Sequence, residues 1–253
     1  MKIRKIVLGL CLLLSASAMA DTQVVAHRGY WKAPGSAQNS ISSYENADRI
    51  GCYGSEIDLW MTADGHVVVN HDATFKGVNI QSATFDEVRK IRLDNGEQIP
   101  TLEEYLKVAK KGKSRLVIEI KSHKDLWQLN QCVDKTLAAV KKFKMEKDVD
   151  YIAFSYAAVL RIIEKTPKGT PVYYLNGDLP PQKLKQIGCT GPDYHENVFL
   201  KTHPEWIKEC HDLGLKVNVW TVDDENNLKH FINEGVDYIT TNEPELLQKL
   251  LKK

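Results

Sequence analysis

The 253-residue chain lacks an excess of charge of either sign and contains few cysteines. Lys and Arg number 34 against 33 Asp and Glu, which gives a net charge of +1. Nucleic-acid-binding domains are typically basic, so this balance argues against a nucleic-acid partner. The five cysteines form no Cys-x-x-Cys pair and have no zinc-ligand spacing. An oxidising compartment would permit disulfides, and buried reduced thiols are the simpler expectation.

Long apolar runs are also missing, except for a short one near the N terminus. Three positive residues precede an apolar run at 6–14, and Ala18-Met19-Ala20 has the small residues of a cleavage site. This order predicts a signal peptide over residues 1–20, cut after Ala20, and hence a periplasmic or secreted protein. An uncleaved membrane anchor is the alternative. We expect no stable membrane insertion of the remainder, 21–253, which we interpret as a single domain.

After this segment, short β-rich runs alternate with helical patterns. Nine runs have strand character: 23–26, 52–58, 67–70, 115–120, 149–154, 171–174, 188–193, 216–220 and 237–241. Asp64-Gly65 is a tight hairpin signal that makes the run at 67–70 antiparallel to the second strand. The other eight runs predict an α/β fold, a (β/α)8 TIM barrel with a β-hairpin after the second strand. The alternative, a doubly wound sheet, requires a glycine-rich phosphate turn where this chain has His27-Arg28-Gly29-Tyr30.

Helix signals occupy the intervals between several of these runs. Thr84 with Glu87, and Thr101 with Glu104, have the spacing of capping boxes. Asn242 is predicted to open the last helix, ahead of a proline. An amphipathic helix is predicted from apolar residues that recur at intervals of three and four: Leu126, Leu129, Val133, Leu137 and Val140.

Polar residues cluster where the predicted strands end, and these ends converge on the face of a barrel that carries active sites. The residues are His27 and Arg28, Glu56 and Asp58, Glu119 and Lys121, and Trp220. A structural ion pair inside the barrel would explain one such pair. Three carboxylates on one rim are better explained by a bound cation, because an uncompensated buried carboxylate costs several kcal/mol.

The hairpin predicts a further member of this site. If Asp64 and Gly65 form a two-residue turn, Trp60 pairs with Val69 and Asp58 pairs with His71. His71 should therefore lie on the same side of the ribbon as Asp58.

This set of residues suits hydrolysis of a phosphodiester. Carboxylate oxygens favour Mg²⁺ or Ca²⁺ over zinc. Together with such a divalent cation, Arg28 and Lys121 would surround an anionic oxygen group with positive charge, which stabilises a phosphoryl transition state. Two histidines that titrate near neutrality would act as general base and general acid.

Five segments resemble the successive motifs of the glycerophosphodiester phosphodiesterase family. They are Ala26-His27-Arg28-Gly29, Gly54-Ser55-Glu56-Ile57-Asp58, the run from Asp64 to Asp72, Ile118-Glu119-Ile120-Lys121, and Val217-Asn218-Val219-Trp220-Thr221. The resemblance spans residues 23 to 245. It implies a barrel of the phospholipase C-like phosphodiesterase type, metal dependence, and a small-molecule glycerophosphodiester substrate that is hydrolysed to sn-glycerol 3-phosphate and an alcohol.

The resemblance also implies roles for individual residues. These are catalytic His27 and His71, substrate-binding Arg28, Lys121 and Trp220, and metal-binding Glu56, Asp58 and Glu119. One departure concerns the family's Pro-Glu-Asn-Thr, which reads Ala37-Gln38-Asn39-Ser40 here. An amide at Gln38 removes one negative charge near the predicted cation and leaves the metal preference open.

Two other functions are compatible with these residues. One is a phospholipase C- or D-type phosphodiesterase on the same barrel, which would want an apolar rim for membrane contact. The other is a non-catalytic phosphodiester-binding barrel, although such a protein would be expected to lack at least one of the histidines or carboxylates. The head group, the choice between Mg²⁺ and Ca²⁺, the attacking group, the cysteine pairing and the oligomeric state stay open at this stage.

Overall fold

A closed barrel of eight parallel strands, surrounded by helices, forms the centre of the computed structural model, which describes residues 22–252. The strands are β1 (Gln23–Ala26), β2 (Gly54–Met61), β3 (Val67–Val69), β4 (Thr74–Phe75), β5 (Val78–Asn79), β6 (Arg115–Ile120), β7 (Val149–Ala153), β8 (Val172–Tyr174), β9 (Gly191–His195), β10 (Asn218–Trp220) and β11 (Tyr238–Thr241). The barrel contains all of these except β3, β4 and β5, and it closes because β1 pairs with both β2 and β11. The predicted (β/α)8 barrel with a hairpin after its second strand is confirmed. The predicted signal peptide, residues 1–20, lies outside the described residues.

The helices cover the outside of the barrel. They are α1 (Ile41–Arg49), α2 (Phe85–Val88), α3 (Leu102–Ala109), α4 (Leu126–Phe143), α5 (Tyr156–Lys165), α6 (Pro181–Ile187), α7 (Trp206–Asp212), α8 (Glu225–Glu234) and α9 (Pro244–Leu251), with a π-helical turn at Val198–Thr202. Both predicted capping boxes are present, at the starts of α2 and α3. Within residues 22–252, none of the helices has the length and apolar character needed to cross a bilayer.

Two helix predictions need correction. Leu126, at the start of α4, is 59% exposed, and the buried residues of this helix begin at Gln128. Asn242 does not cap α9, which begins at Pro244 with Glu243 as the N-cap residue. The side chain of Asn242 instead makes tertiary hydrogen bonds, described below.

Strand alternation separates the outer core from the barrel interior. On β2, Ile57 and Leu59 pack into the main core under the helices, while Glu56 and Asp58 point the other way. On β6, Ile118 packs outward and Glu119 points inward in the same manner. The period of two therefore places carboxylates inside the barrel, where side chains from neighbouring strands meet.

The predicted hairpin register is wrong by one residue. Trp60 pairs with Val68 rather than Val69. The loop has three residues, 63–65, because the Thr62 amide bonds the His66 carbonyl at 2.9 Å and Gly65 takes a positive φ of 87°. Such loops end in a left-handed residue that adds a bulge to the ribbon.

This change moves Asp58 opposite Asn70, whose amide donates to the Asp58 carbonyl at 3.0 Å. Strand alternation would now direct His71 away from Asp58. However, β3 ends at Val69, so alternation no longer decides where the His71 side chain points. The loop carries it into the site by a different path from the one predicted.

A small apolar cluster covers the hairpin on its outer side. The segment after β3 folds into the two-stranded β4–β5 ribbon and α2, and its side chains pack with Trp60 and Val68. This cluster forms one flank of the open end of the barrel. The four cysteines of the described range, Cys52, Cys132, Cys189 and Cys210, are buried free thiols.

Candidate active site

The predicted site residues meet at the carboxyl ends of the barrel strands. Seven of the eight line a cavity of about 160 Å³: His27, Arg28, Glu56, His71, Glu119, Lys121 and Trp220. We call this the inner cavity. The eighth, Asp58, lies behind it and contacts Arg28 and Lys121.

Three buried carboxylates form a compact cluster at one side of the inner cavity. Ligand oxygens of Glu56, Asp58 and Glu119 lie within 4.8 Å of one another. Asp58 and Glu119 are partners in the β2–β6 register, so the parallel ladder sets their spacing. Burial and the charge of Asp58 raise the pKa of Glu119 to about 8, and burial together with Asp58 and Glu119 raises the pKa of Glu56. If all three groups were ionised, the cluster would therefore carry more negative charge than its immediate surroundings stabilise.

Asp58 differs because positive and polar groups surround it. Burial alone would raise its pKa, but the charges of Lys121, His71 and Arg28 and a hydrogen bond from Asn39 lower it. Lys121 Nζ donates to Asp58 Oδ1 at 3.2 Å, and Asn39 Nδ2 donates to Asp58 Oδ2 at 2.8 Å. Asp58 stays ionised, as a metal-ligating carboxylate must.

The donor set fits a hard divalent cation. Three carboxylates supply oxygen only, and the described part of the chain offers no second grouping of this kind. Two of the three have raised pKa values, so a cation at this position would relieve the repulsion between them. Glu56, Asp58 and Glu119 are therefore the residues that would hold the metal.

Arg28 and Lys121 supply positive charge beside the carboxylates. Arg28 has a left-handed backbone, with φ of 55°, which lets its amide donate to Glu56 Oε2 at 2.7 Å. Gly29 follows it with φ of 75°, and a β-carbon there would lie 2.2 Å from Ser43 Oγ. The tight turn after β1 thus requires glycine and orients the guanidinium.

The departure at Gln38 has a structural consequence. Gln38 Oε1 accepts from Arg28 Nη1 at 2.7 Å. The amide orients the guanidinium without neutralising its charge, as a carboxylate would. Arg28 Nε is buried, lies 4.0 Å from Asp58 Oδ2, and makes no hydrogen bond with any described residue.

His27 is held in one tautomer by its neighbours. Its Nδ1 lies 3.0 Å from Asn242 Oδ1, which also accepts from the Trp31 indole at 2.8 Å. Asn242 Nδ2 donates to Asp223 Oδ2 at 2.7 Å, which assigns the amide orientation. Because the amide oxygen can only accept, His27 must carry its proton on Nδ1, and Nε2 keeps its lone pair. Burial and the charge of Arg28 lower the pKa of His27 to about 4.

His71 has a different environment. Its Nδ1 lies 2.8 Å from Asp72 Oδ1, and its side chain is 34% exposed. Burial lowers the pKa of His71. The charge of Asp58 and the hydrogen bond to Asp72 offset only part of this decrease. His71 also lines a second cavity of about 530 Å³, which includes Trp31 and Phe75 and which we call the outer groove. His71 thus lies between the inner cavity and the outer groove.

The wall of the inner cavity that faces β2 across the barrel is largely apolar. Trp220 donates its indole N–H to the Asp193 carbonyl at 2.9 Å and packs edge-to-face against Phe154. Leu175 continues this surface.

Sequence reasoning missed two residues of this site. Asn242 resembles a helix cap, and nothing local in the sequence indicates that its amide turns toward His27. Asp193 ends the seventh β-rich run, so the rule that located the other strand-end residues would also have located it. The role of Asn242 depends on a contact between segments distant in the chain.

A TIM barrel that gathers three carboxylates, two imidazoles, a guanidinium and an ammonium at its active face defines a phosphodiester hydrolase. The chain belongs to the glycerophosphoryl diester phosphodiesterase family, whose sequence profile matches residues 27–246. It is thus a phosphoric diester hydrolase, and the predicted family and enzyme class are confirmed.

Individual relatives are similar to this chain over more than nine-tenths of its length. The crystal structure of a glycerophosphodiester phosphodiesterase from Parabacteroides distasonis is 48% identical, with a TM-score of 0.90, over 92% of this chain and 98% of that one. The glycerophosphodiester phosphodiesterase of Caldanaerobacter subterraneus is 29% identical over 247 residues, 92% of this chain and 98% of its own length. An Oleispira antarctica phosphodiesterase, solved with its product sn-glycerol 3-phosphate, shares the fold at a TM-score of 0.78 and 24% identity, over 92% of this chain and 98% of that one.

Proposed function

We propose that this enzyme hydrolyses glycerophosphodiesters to sn-glycerol 3-phosphate and an alcohol, using Mg²⁺ or Ca²⁺ and two histidines. The observation that carries the proposal is the arrangement around the inner cavity, where His27 and His71 flank a space bordered by three carboxylates, Arg28 and Lys121. The names of the relatives support the same substrate class.

The positive charges of Arg28 and Lys121 would bind the phosphate group of the substrate. Arg28 lines the inner cavity with its guanidinium, and Lys121 offers an ammonium whose pKa is raised by Asp58 and Glu119 despite burial. A divalent cation on Glu56, Asp58 and Glu119 would add Lewis-acid stabilisation of the phosphoryl oxygens when bound. These groups act where negative charge develops in the transition state, in a site largely shielded from water.

His27 is assigned as the general base. Its Nε2 lone pair borders the cavity, and its pKa of about 4 keeps the ring neutral at physiological pH. It takes the proton of the attacking hydroxyl, which belongs either to water or to the glycerol hydroxyl next to the phosphate. The second route forms a cyclic phosphate that water then opens.

His71 is assigned as the general acid. Asp72 stabilises its protonated form, and an anionic phosphodiester in the cavity would raise the pKa of the ring further. As the bond between phosphorus and the departing oxygen breaks, the imidazolium gives its proton to that oxygen. The alcohol then leaves by the outer groove, which His71 also lines.

A phospholipase-type activity on intact lipid is the second candidate, and one observation favours it. Leu126 and Trp127 are 59% and 68% exposed at the start of α4, which follows β6 on the active face. Exposed apolar side chains beside an active site are typical of enzymes that contact lipid.

Product analysis separates the two candidates. Purified protein is supplied with glycerophosphocholine, glycerophosphoethanolamine, glycerophosphoglycerol and intact phosphatidylcholine, each with Mg²⁺ or Ca²⁺. The leading proposal predicts sn-glycerol 3-phosphate from at least one of the first three and no turnover of the intact lipid. Turnover of phosphatidylcholine alone contradicts it and supports the second candidate.

We also propose that the enzyme is exported, because residues 1–20 have the order of regions of a signal peptide. N-terminal sequencing of protein recovered outside the cytoplasm should begin at Asp21. A chain that retains Met1 in that fraction would contradict cleavage.

A further inference from the structure

Asp193 is a buried carboxylate that the mechanism above does not use. It lies on β9 near the active face, is only 1% exposed, and lines the inner cavity. Asn218 is its partner on the neighbouring strand, and Asp193 Oδ1 has no hydrogen-bond partner among residues 22–252. A buried polar atom without a partner is costly and uncommon in native structures, so this one needs an explanation.

The position of Asp193 separates it from the metal cluster. Glu56 and Asp58 come from β2 and Glu119 from β6, whereas β9 is separated from β6 by β7 and β8 in the strand order of the barrel. Asp193 is near enough for the charge of Glu119 to raise its pKa, but it is not one of the three carboxylates whose oxygens lie within 4.8 Å of one another, and its carbonyl bonds Trp220 in the facing wall.

That wall is mostly apolar, and Thr221 and Thr240 are its other polar members. Ile152, Phe154 and Leu175 contribute apolar side chains. Thr240 also lines the cavity, but its hydroxyl is engaged by Asn218, at 3.0 Å from Nδ2 and 3.2 Å from Oδ1. The carboxyl group of Asp193 thus lies among mainly apolar side chains beside the cavity, and binding pockets use isolated polar groups of this kind to orient a ligand.

We propose that Asp193 binds a hydroxyl group of the glycerol moiety and thereby selects phosphodiesters that carry a polyol on this side of the phosphate. The inference rests on the proposed function and extends it to one specificity-determining residue. A hydroxyl both donates and accepts, so it satisfies this carboxyl group whether ionised or protonated. Trp220 packs beside the carbon chain, and its bond to the Asp193 carbonyl holds the two residues together.

The test compares two substrates that differ in the polyol. Glycerophosphocholine carries the glycerol hydroxyls, and bis(p-nitrophenyl) phosphate has no hydroxyl on either side. In Asp193→Ala we expect the ratio of kcat/KM for glycerophosphocholine to kcat/KM for bis(p-nitrophenyl) phosphate to fall by roughly 100-fold, because a site built to bind a hydroxyl loses its partner. The isosteric Asp193→Asn variant keeps the shape and should show a smaller fall in the same direction.

A binding measurement supplies a readout that is independent of turnover. Metal-free wild-type protein should be stabilised against thermal unfolding by sn-glycerol 3-phosphate at lower concentrations than by inorganic phosphate, and Asp193→Ala should lose most of this difference. The matched control is Asp150→Asn. Asp150 is also a buried barrel aspartate, but it lies near the amino end of β7 and is paired with Arg115 at 2.6 Å. This control should keep the wild-type substrate ratio.

The outcomes distinguish this inference from the proposed function. If wild-type protein cleaves glycerophosphocholine and the substrate ratio is unchanged in both Asp193 variants, the assignment of Asp193 is wrong while the function stands. If both variants lose activity on the two substrates equally, Asp193 has a structural role and the assignment is again wrong. If wild-type protein cleaves glycerophosphocholine but not bis(p-nitrophenyl) phosphate, the thermal-unfolding comparison decides the assignment: an unchanged preference for sn-glycerol 3-phosphate in Asp193→Ala overturns it. If wild-type protein cleaves bis(p-nitrophenyl) phosphate but no glycerophosphodiester, the proposed function fails and this assignment fails with it.

Discussion

Ionising Glu119 in the metal-free protein should destabilise the fold. Burial and Asp58 raise the pKa of this carboxyl group from 4.5 to about 8. An acid whose pKa is higher in the folded state contributes stability that is complete below its unfolded-state pKa and is lost as the pH rises through its folded-state pKa. The free energy of unfolding should therefore fall as the pH rises from 4.5 to about 8.

The magnitude follows from the size of this pH interval. At about 1.4 kcal/mol per pH unit, the loss amounts to roughly 5 kcal/mol, and water entering the site would reduce it. For a chain of this length, each kcal/mol changes the melting temperature by about 2–4 °C, so the expected fall is about 10 °C or more. A bound divalent cation stabilises the ionised carboxylates, and the fall should largely disappear when metal is present.

Thermal unfolding at about pH 5.5 and about pH 8.5, with chelator and with saturating Mg²⁺ or Ca²⁺, measures this effect. Glu119→Gln removes the titrating group and should show a smaller pH dependence in chelator than the wild type. Glu234→Gln, exposed at the end of α8, is the matched control and should behave as the wild type. Equal pH dependence of wild type and Glu119→Gln in chelator, or an undiminished fall in saturating metal, would refute the reasoning.

Three further predictions concern catalysis. His27→Ala and His71→Ala should each lower kcat by about 10²–10⁴-fold without lowering the melting temperature, and turnover within a few-fold of the wild type in steady-state assays would contradict the acid–base roles. At saturating metal, the acid limb of kcat/KM against pH should lie well below the ordinary histidine value, because burial and Arg28 lower the His27 pKa to about 4 and a nearby cation would lower it further. A limb near the ordinary histidine value would contradict the role of His27 as base. Gln38→Glu should raise KM several-fold and lower the metal concentration that gives half of the maximal thermal stabilisation, because its carboxylate offsets the charge of Arg28. Unchanged values of both would show that the amide at this position has no effect.

Much of the fold is predictable because it depends on local patterns. The alternation of β-rich runs with capped helices predicts the barrel. The Asp64-Gly65 turn indicates which β-rich run is not a barrel strand. The predicted register of that hairpin is wrong because the loop has one residue more than predicted, which shifts every residue pair of the two strands. The Thr62 amide bond to the His66 carbonyl that creates the loop is not visible in the amino-acid pattern.

The site was predictable to the extent that it lies at strand ends. His27, Glu56 and Glu119 follow from the rule that barrel strands converge at their carboxyl ends. Asn242 does not, because its bond to His27 joins residues 215 positions apart. The sequence offers the residue types, but the tautomer of His27 and the free oxygen of Asp193 are properties of the packed barrel.

The central claim is that the carboxylate cluster and the two histidines release sn-glycerol 3-phosphate in a metal-dependent reaction. The most direct test is the amount of sn-glycerol 3-phosphate formed from glycerophosphocholine by protein freed of metal with excess chelator, before and after Mg²⁺ or Ca²⁺ is added back. The account predicts no product in chelator, full recovery with one of the two cations, and no recovery in Glu56→Gln. Undiminished product formation in excess chelator would contradict it.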